Sequence, residues 1–179
     1  MILKIIIAVA VLIAAALIFA ATRPGTIRVQ RSIEINAPPE KVFALINDFH
    51  NWSLWAPQDR EDATMERTFS GSASGSGSGA GAVSEWASKG SAGQGKMSIT
   101  ESEPPRRVAI QVDFVKPFAA HNVNEFLLEP VGSSTKVTWT MQGRNLFFMK
   151  LMSIFVNMDR VMGRHFESGL NNLKAVAEK

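Results

Sequence analysis

Residues 145–179, NLFFMKLMSIFVNMDRVMGRHFESGLNNLKAVAEK, decide how the rest of the chain must be arranged. On a wheel of 3.6 residues per turn, Phe148, Met152, Phe155, Met162, Phe166, Leu170, Leu173 and Ala177 form one stripe. Lys150, Ser153, Asn157, Arg160, Arg164, Ser168 and Asn171 fall opposite. The spacing predicts one long helix of about nine turns, roughly 50 Å at 1.5 Å per residue. A stripe of that length needs an equally long apolar partner. Asp159 stands inside it, between Phe155 and Met162, where a carboxylate is costly unless paired. It is the weak catalytic candidate, a buried acid poised for proton transfer or for a ligand hydroxyl. The alternative is a structural acid, bonded to backbone or paired with a nearby Arg or His. Gly163 and Gly169 flank the stripe and suggest close approach of another backbone. From Leu146 to Met158 the segment is apolar almost all round, with Lys150 its only charge, so it is buried or faces a lipid or a ligand.

The partner is legible upstream as a series of strands. Thr26 to Ile35 alternates, with Ile27, Val29, Ile33 and Ile35 on one face. Asn36-Ala37-Pro38-Pro39-Glu40 stops it and opens a short helix through Asn47, with proline in the first turn. Further strands are expected at 65–69, 83–87, 96–103, 107–115, 122–129 and 135–141. Pro104-Pro105, Lys116-Pro117 and Gly132-Ser133-Ser134 punctuate them. Close spacing with no helix between strands predicts an antiparallel meander. The inward set by period two is Trp86, Met97, Ile99, Val108, Ile110, Val112, Phe114, Phe126, Leu128, Val137, Trp139 and Met141. The Gly/Ser/Ala tract of residues 70–82 reads as a flexible hairpin connection, since no helix follows it to make a phosphate cradle. Residues 90–97 match the nucleotide-binding P-loop spacing up to Met97, where Ser or Thr should ligate magnesium. That match is rejected.

Ile2 to Ala21 is apolar except for Lys4 and has the length that spans a bilayer. With Ala21 at −1, Phe19 takes the −3 position, where cleavage wants a small residue, so an uncleaved anchor is expected over a signal peptide. Lys4 on one side and Arg23, Arg28 and Arg31 on the other leave the orientation open, with the extracytoplasmic side favoured for the soluble part. The expected organisation is an anchor at 1–22, a linker at 23–26 and one domain at 27–179.

Composition sets further bounds. With 46% hydrophobic and 20% charged residues the chain is globular. A net charge of +3, spread along the sequence, gives no nucleic-acid footprint. There is no cysteine, which excludes disulfides, zinc–thiolate sites and thiol catalysis. His50, His121 and His165 lack metal-site spacing, and neither metal nor cofactor is expected.

Strand, short helices, six antiparallel strands and a long C-terminal helix is the element order of the helix-grip fold. The chain resembles the SRPBCC superfamily of START-like lipid-transfer domains and polyketide cyclases. The likeness is nearest to its bacterial members of the polyketide cyclase/dehydrase and lipid-transport kind. The residues that carry it are Ala37-Pro38-Pro39-Glu40-Lys41-Val42-Phe43, Asn47-Asp48-Phe49 with Trp52 and Trp55, and Gly95-Lys96-Met97. Pro104-Pro105, Phe118, Leu128-Glu129-Pro130, Thr138-Trp139, and Phe166-Glu167 with Gly169-Leu170 continue it. The resemblance implies an α+β helix-grip fold, a curved antiparallel sheet of about six to seven strands around the C-terminal helix.

It also implies a cavity between the two, lined by Trp86, Phe114, Phe126, Trp139, Phe155, Met158 and Met162, with Trp52 or Trp55 at its mouth and Asp159 selecting a polar head. Aromatics and methionines suit an adaptable apolar ligand. The expected function is membrane-tethered binding of a small hydrophobic or lipid-like molecule. The apolar start of the last helix, with Phe147 and Phe148, would lie near the bilayer and gate ligand uptake. Two rivals are a cyclase- or dehydratase-like enzyme using the same cavity, and a membrane-anchored protein-interaction module.

Overall fold

Clean alternation over Thr26–Ile35 makes β1, with Val29 and Ile35 buried and Ile27 and Ile33 packed at the core edge. Six more strands follow: β2 (Glu66–Gly71), β3 (Ala82–Ala87), β4 (Gln94–Glu103), β5 (Arg107–Lys116), β6 (Ala120–Val131) and β7 (Ser134–Arg144). They form one curved antiparallel sheet in the order β1-β7-β6-β5-β4-β3-β2. Each strand from β2 onward pairs with its successor, and β1 closes on β7 from Thr26 opposite Arg144 to Ile35 opposite Thr135. Two register shifts in β4, at Gln94/Gly95 and Ile99/Glu101, help bend the sheet. The computed structural model describes residues 1–58, 62, 64–72, 77–90, 92–145, 147–154 and 156–179, with Phe148 described by its backbone alone.

Helices cover the concave face. α1 (Ile2–Thr22) precedes the sheet; α2 (Pro39–Ile46) and α3 (Trp52–Trp55) lie between β1 and β2; α4 (Phe147–Met152) and α5 (Met158–Ala177) end the chain. The inward set read by parity is buried throughout apart from Phe114, which is partly buried. Residues 77–82 of the glycine-rich tract are docked, not loose. Phe49 N–H donates to the Gly77 carbonyl at 3.1 Å, and Gly79 N–H to that of Asn47 at 2.9 Å.

The predicted single C-terminal helix is two helices. Met158–Ala177 is one, with Phe166, Leu170, Leu173 and Ala177 on its buried face. The first ends at Met152 and the next begins at Met158, where Asn157 caps the new N-terminus by accepting from Arg160 N–H at 3.0 Å. Asp159 therefore stands in a first turn, where a carboxylate complements the helix dipole. Neither glycine of this helix admits another backbone. Both admit side chains: a Cβ at Gly163 would overlap the Arg31 guanidinium, and one at Gly169 would stand 2.9 Å from the Trp139 ring.

α1 is long and apolar enough to cross a membrane, with a mean hydropathy of 3.0. It is exposed along its length except at Ala16 and Ala20, one helical turn apart, and α4 is the element that packs against it.

Candidate functional site

The sheet, the first half of α5 and the segment before β2 enclose a half-open cavity of about 570 Å³. Its apolar wall comes from alternate residues of successive strands: Trp86 on β3, Met97 on β4, Val112 and Phe114 on β5, and Trp139 and Met141 on β7. Met162 and Phe166 close it from α5, and Trp52 from α3. Trp86 and Phe114 meet edge to face, 5.4 Å between centroids. The Trp86 indole N–H donates to the Ala92 carbonyl at 3.0 Å, which ties the β3–β4 turn to the wall. This ring needs a glycine opposite, because a Cβ at Gly95 would lie 2.4 Å from it and 2.4 Å from the Asp113 carbonyl oxygen.

Of the residues expected to line the cavity, Trp52, Trp86, Phe114, Trp139 and Met162 do so. Trp55 and Phe126 instead lie behind the wall, both 0% exposed, in an edge-to-face cluster with Trp52 and Trp139. Neither Trp52 nor Trp55 is at a mouth. Their indole N–H groups donate to the Ile46 and Leu45 carbonyls, at 2.9 and 3.0 Å, which fixes both rings under the end of α2. Met158 is half-buried and outside the lining set, and Phe155 falls outside the described residues.

Asp159 needs the firmest correction. Its side chain is 60% exposed and bonds Arg31 Nη2 at 3.0 Å, while Glu167 accepts from Arg31 Nε at 2.7 Å. Those two acids, Asp159 first, hold the Arg31 guanidinium above its ordinary pKa and thus fully charged. The cause lies in two misread patterns: Asp159 keeps the phase of the stripe but stands in the first turn of α5, at the edge of the core, and Arg31, which meets it there, has the inward parity of Val29 and Ile33. The knot clamps β1 to α5 over Gly163. Asp159→Asn is expected to leave affinity for an apolar ligand unchanged and to shift the thermal midpoint only slightly, since an exposed ion pair is screened by water. Titration calorimetry and a melting curve check both.

The sequence reading missed most of the polar wall. Asn122 and Asn124 point inward from β6, in register with Phe126 and Leu128. Parity alone identifies them. Gly143, opposite Asn122, leaves the space its carboxamide occupies. His165 Nε2 meets Gln58 Oε1 at 3.0 Å, a pairing across 107 residues that no local pattern shows. Nearer the turn between β3 and β4, Asp62 accepts from the Ser88 hydroxyl and from Thr64 N–H and O–H. The Ser88 bond, then Thr64, holds its carboxyl below the usual carboxylate range, so it stays ionised at neutral pH. Arg67 of β2 also lines the cavity and donates to Ser84 Oγ at 3.0 Å. Among the described residues, no group of three or more His, Asp or Glu side chains is placed to hold a metal ion. The arrangement suits enclosing an apolar molecule with a few polar contacts.

Residues 26–178 match the family model described as polyketide cyclase/dehydrase and lipid transport. No curated protein matches the chain. Solved structures share its fold. A protein from Chromobacterium violaceum is 17% identical with a TM-score of 0.59, the match covering 88% of this chain and 99% of that one. The Aha1 dimer from Colwellia psychrerythraea is 19% identical with a TM-score of 0.55, over 85% and 96%. A protein from Rhizobium loti is 22% identical with a TM-score of 0.54, over 85% and 99%. At these identities the likeness speaks for the helix-grip architecture alone.

Proposed function

Because the chain belongs to the polyketide cyclase/dehydrase and lipid transport family, within the SRPBCC superfamily, we propose that it is a membrane-tethered binding protein for a small hydrophobic or lipid-like ligand. The observation that carries this reading is the cavity of about 570 Å³, walled by tryptophan, phenylalanine and methionine side chains. That size lies within the range of small-molecule sites, and the lining is apolar with a few convergent polar groups. Affinity comes from removing ligand surface from water, about 0.8 kcal/mol for each buried CH₂. Methionines at 97, 141 and 162 let the wall repack around chains of different shape.

Tethering rests on α1. Ala16 and Ala20, the residues of α1 that are not exposed, lie in its C-terminal half, and α4 is the element that packs against α1, so α4 meets the span toward the end from which the rest of the chain leaves it. The exposed Phe147 and Met152 of α4 then sit at the membrane surface, and the cavity wall begins a short segment later, at Met162. A ligand leaving the bilayer reaches the cavity past this helix. Phe147→Ser is expected to slow ligand transfer from vesicles several-fold while leaving equilibrium affinity unchanged. Stopped-flow transfer of a fluorescent acyl chain from vesicles to the full chain in nanodiscs measures it, and an unchanged rate removes α4 from the route.

The binding reading is tested by titrating the full chain in nanodiscs with dodecane and 1-dodecanol, each referred to its partition into empty nanodiscs. Saturable binding that quenches tryptophan fluorescence is expected. Partition equal to that of empty nanodiscs for both would leave the cavity without a ligand role.

A further inference from the structure

The cavity wall holds an unpaired donor beside an unpaired acceptor. Trp139 Nε1 and Asn124 Oδ1 are buried with no hydrogen-bond partner among the described residues. The three other indoles of the protein are all satisfied, by the Ile46, Leu45 and Ala92 carbonyls. The two residues are neighbours on one face. Asn124 stands opposite Met141 and Phe126 opposite Trp139, so Asn124 and Trp139 are diagonal across β6 and β7. Both residues line the cavity.

The Trp139 ring is held in place. Phe166 stacks on it at 4.1 Å and 3°, Phe126 lies 4.8 Å away, and its benzo edge at Cζ3 is turned to Gly169. Both atoms are buried, so no protein group among the described residues offsets the loss of their solvation. Met141, directly opposite Asn124, is an unbranched side chain able to move aside.

Resting on the reading of the cavity as a ligand site, we propose that this donor–acceptor pair recognises an uncharged hydroxyl or carboxamide head on an otherwise apolar ligand. A hydroxyl oxygen accepts from the Trp139 indole N–H while its own proton goes to the Asn124 carbonyl oxygen, and both orphans are satisfied by one group. A carboxylate has no proton to give Asn124 Oδ1 and must be desolvated as a charge. The cavity's arginine, Arg67, is on β2, at the opposite end of the strand order from β7 and β1, and is bonded to Ser84.

The test uses the full chain in nanodiscs, labelled with ¹⁵N-tryptophan, and three probes of equal length: dodecane, 1-dodecanol and dodecanoate. Dodecanol is expected to bind about tenfold more tightly than dodecane after correction for partition, as one satisfied pair warrants. Dodecanol, and not dodecane, is expected to move the Trp139 indole resonance downfield. Asn124→Leu and Trp139→Phe should each abolish the preference, bringing the ratio of dodecanol to dodecane affinity in the same variant to about one. Should Trp139→Phe not fold, Asn124→Leu with the wild-type indole signal decides alone. Equal affinity for dodecanol and dodecane would overturn the head-group assignment and leave the apolar cavity standing. Tighter binding of dodecanoate would overturn the uncharged head. Binding of none of the three would remove the cavity reading and this proposal together.

Discussion

Trp55→Ala is expected to remove a large part of the domain's stability, about 3–5 kcal/mol of a total on the order of 5–15 kcal/mol. Trp55 is 0% exposed, packs edge to face on Phe126 and Trp139, and donates from Nε1 to the Leu45 carbonyl. Alanine deletes the ring contacts, leaves a void behind the cavity wall, and strands the Leu45 carbonyl. Trp55→Phe keeps an aromatic ring and should cost about 1–2 kcal/mol, chiefly through that lost hydrogen bond and the smaller ring. Urea unfolding of the full chain in detergent, followed by circular dichroism, separates the two variants. A loss below about 1 kcal/mol for Trp55→Ala would mean that the ring faces the cavity after all.

The second large effect is on binding. Val112→Phe combined with Met141→Trp is expected to weaken an apolar ligand about hundredfold with little loss of stability. Both residues face the cavity, from neighbouring regions of the sheet, so larger rings grow into space and not into packed core. Displacing three or four ligand methylenes, at about 0.8 kcal/mol each, converts to roughly that factor. The same titration as for the wild type measures it. Unchanged affinity with an intact fold would place the ligand elsewhere.

Much of the architecture is written in the sequence because period-two alternation over Thr26–Ile35 and the later strands has one physical solution, a sheet with one buried face. The polyproline punctuation at Pro38-Pro39 and the cap-like run before α2 were equally local. What parity does not encode is depth. Trp139 and Phe126 share inward parity and pair directly across β7 and β6, yet one borders the cavity and the other is sealed behind it. Only the placement of α3 beneath them decides that.

The break before α5 escaped for a different reason. The apolar stripe continues through residues 148–155 by composition, so the wheel sees no interruption. The Asn157 cap with an acid two residues later was the local signal. Misreading it put Asp159 in the core. Arg31 and Asn124 were the complementary oversight, polar residues at inward parity that periodicity arguments built on apolar residues pass over.

Native mass spectrometry of the full chain, released from nanodiscs under mild conditions, tests most directly whether the cavity holds an apolar molecule. The wild type is expected to carry a small-molecule adduct, extractable into organic solvent, that the Val112→Phe, Met141→Trp variant lacks. A wild type free of adduct that also takes up none of the apolar probes would contradict the account, as would the same adduct on both proteins.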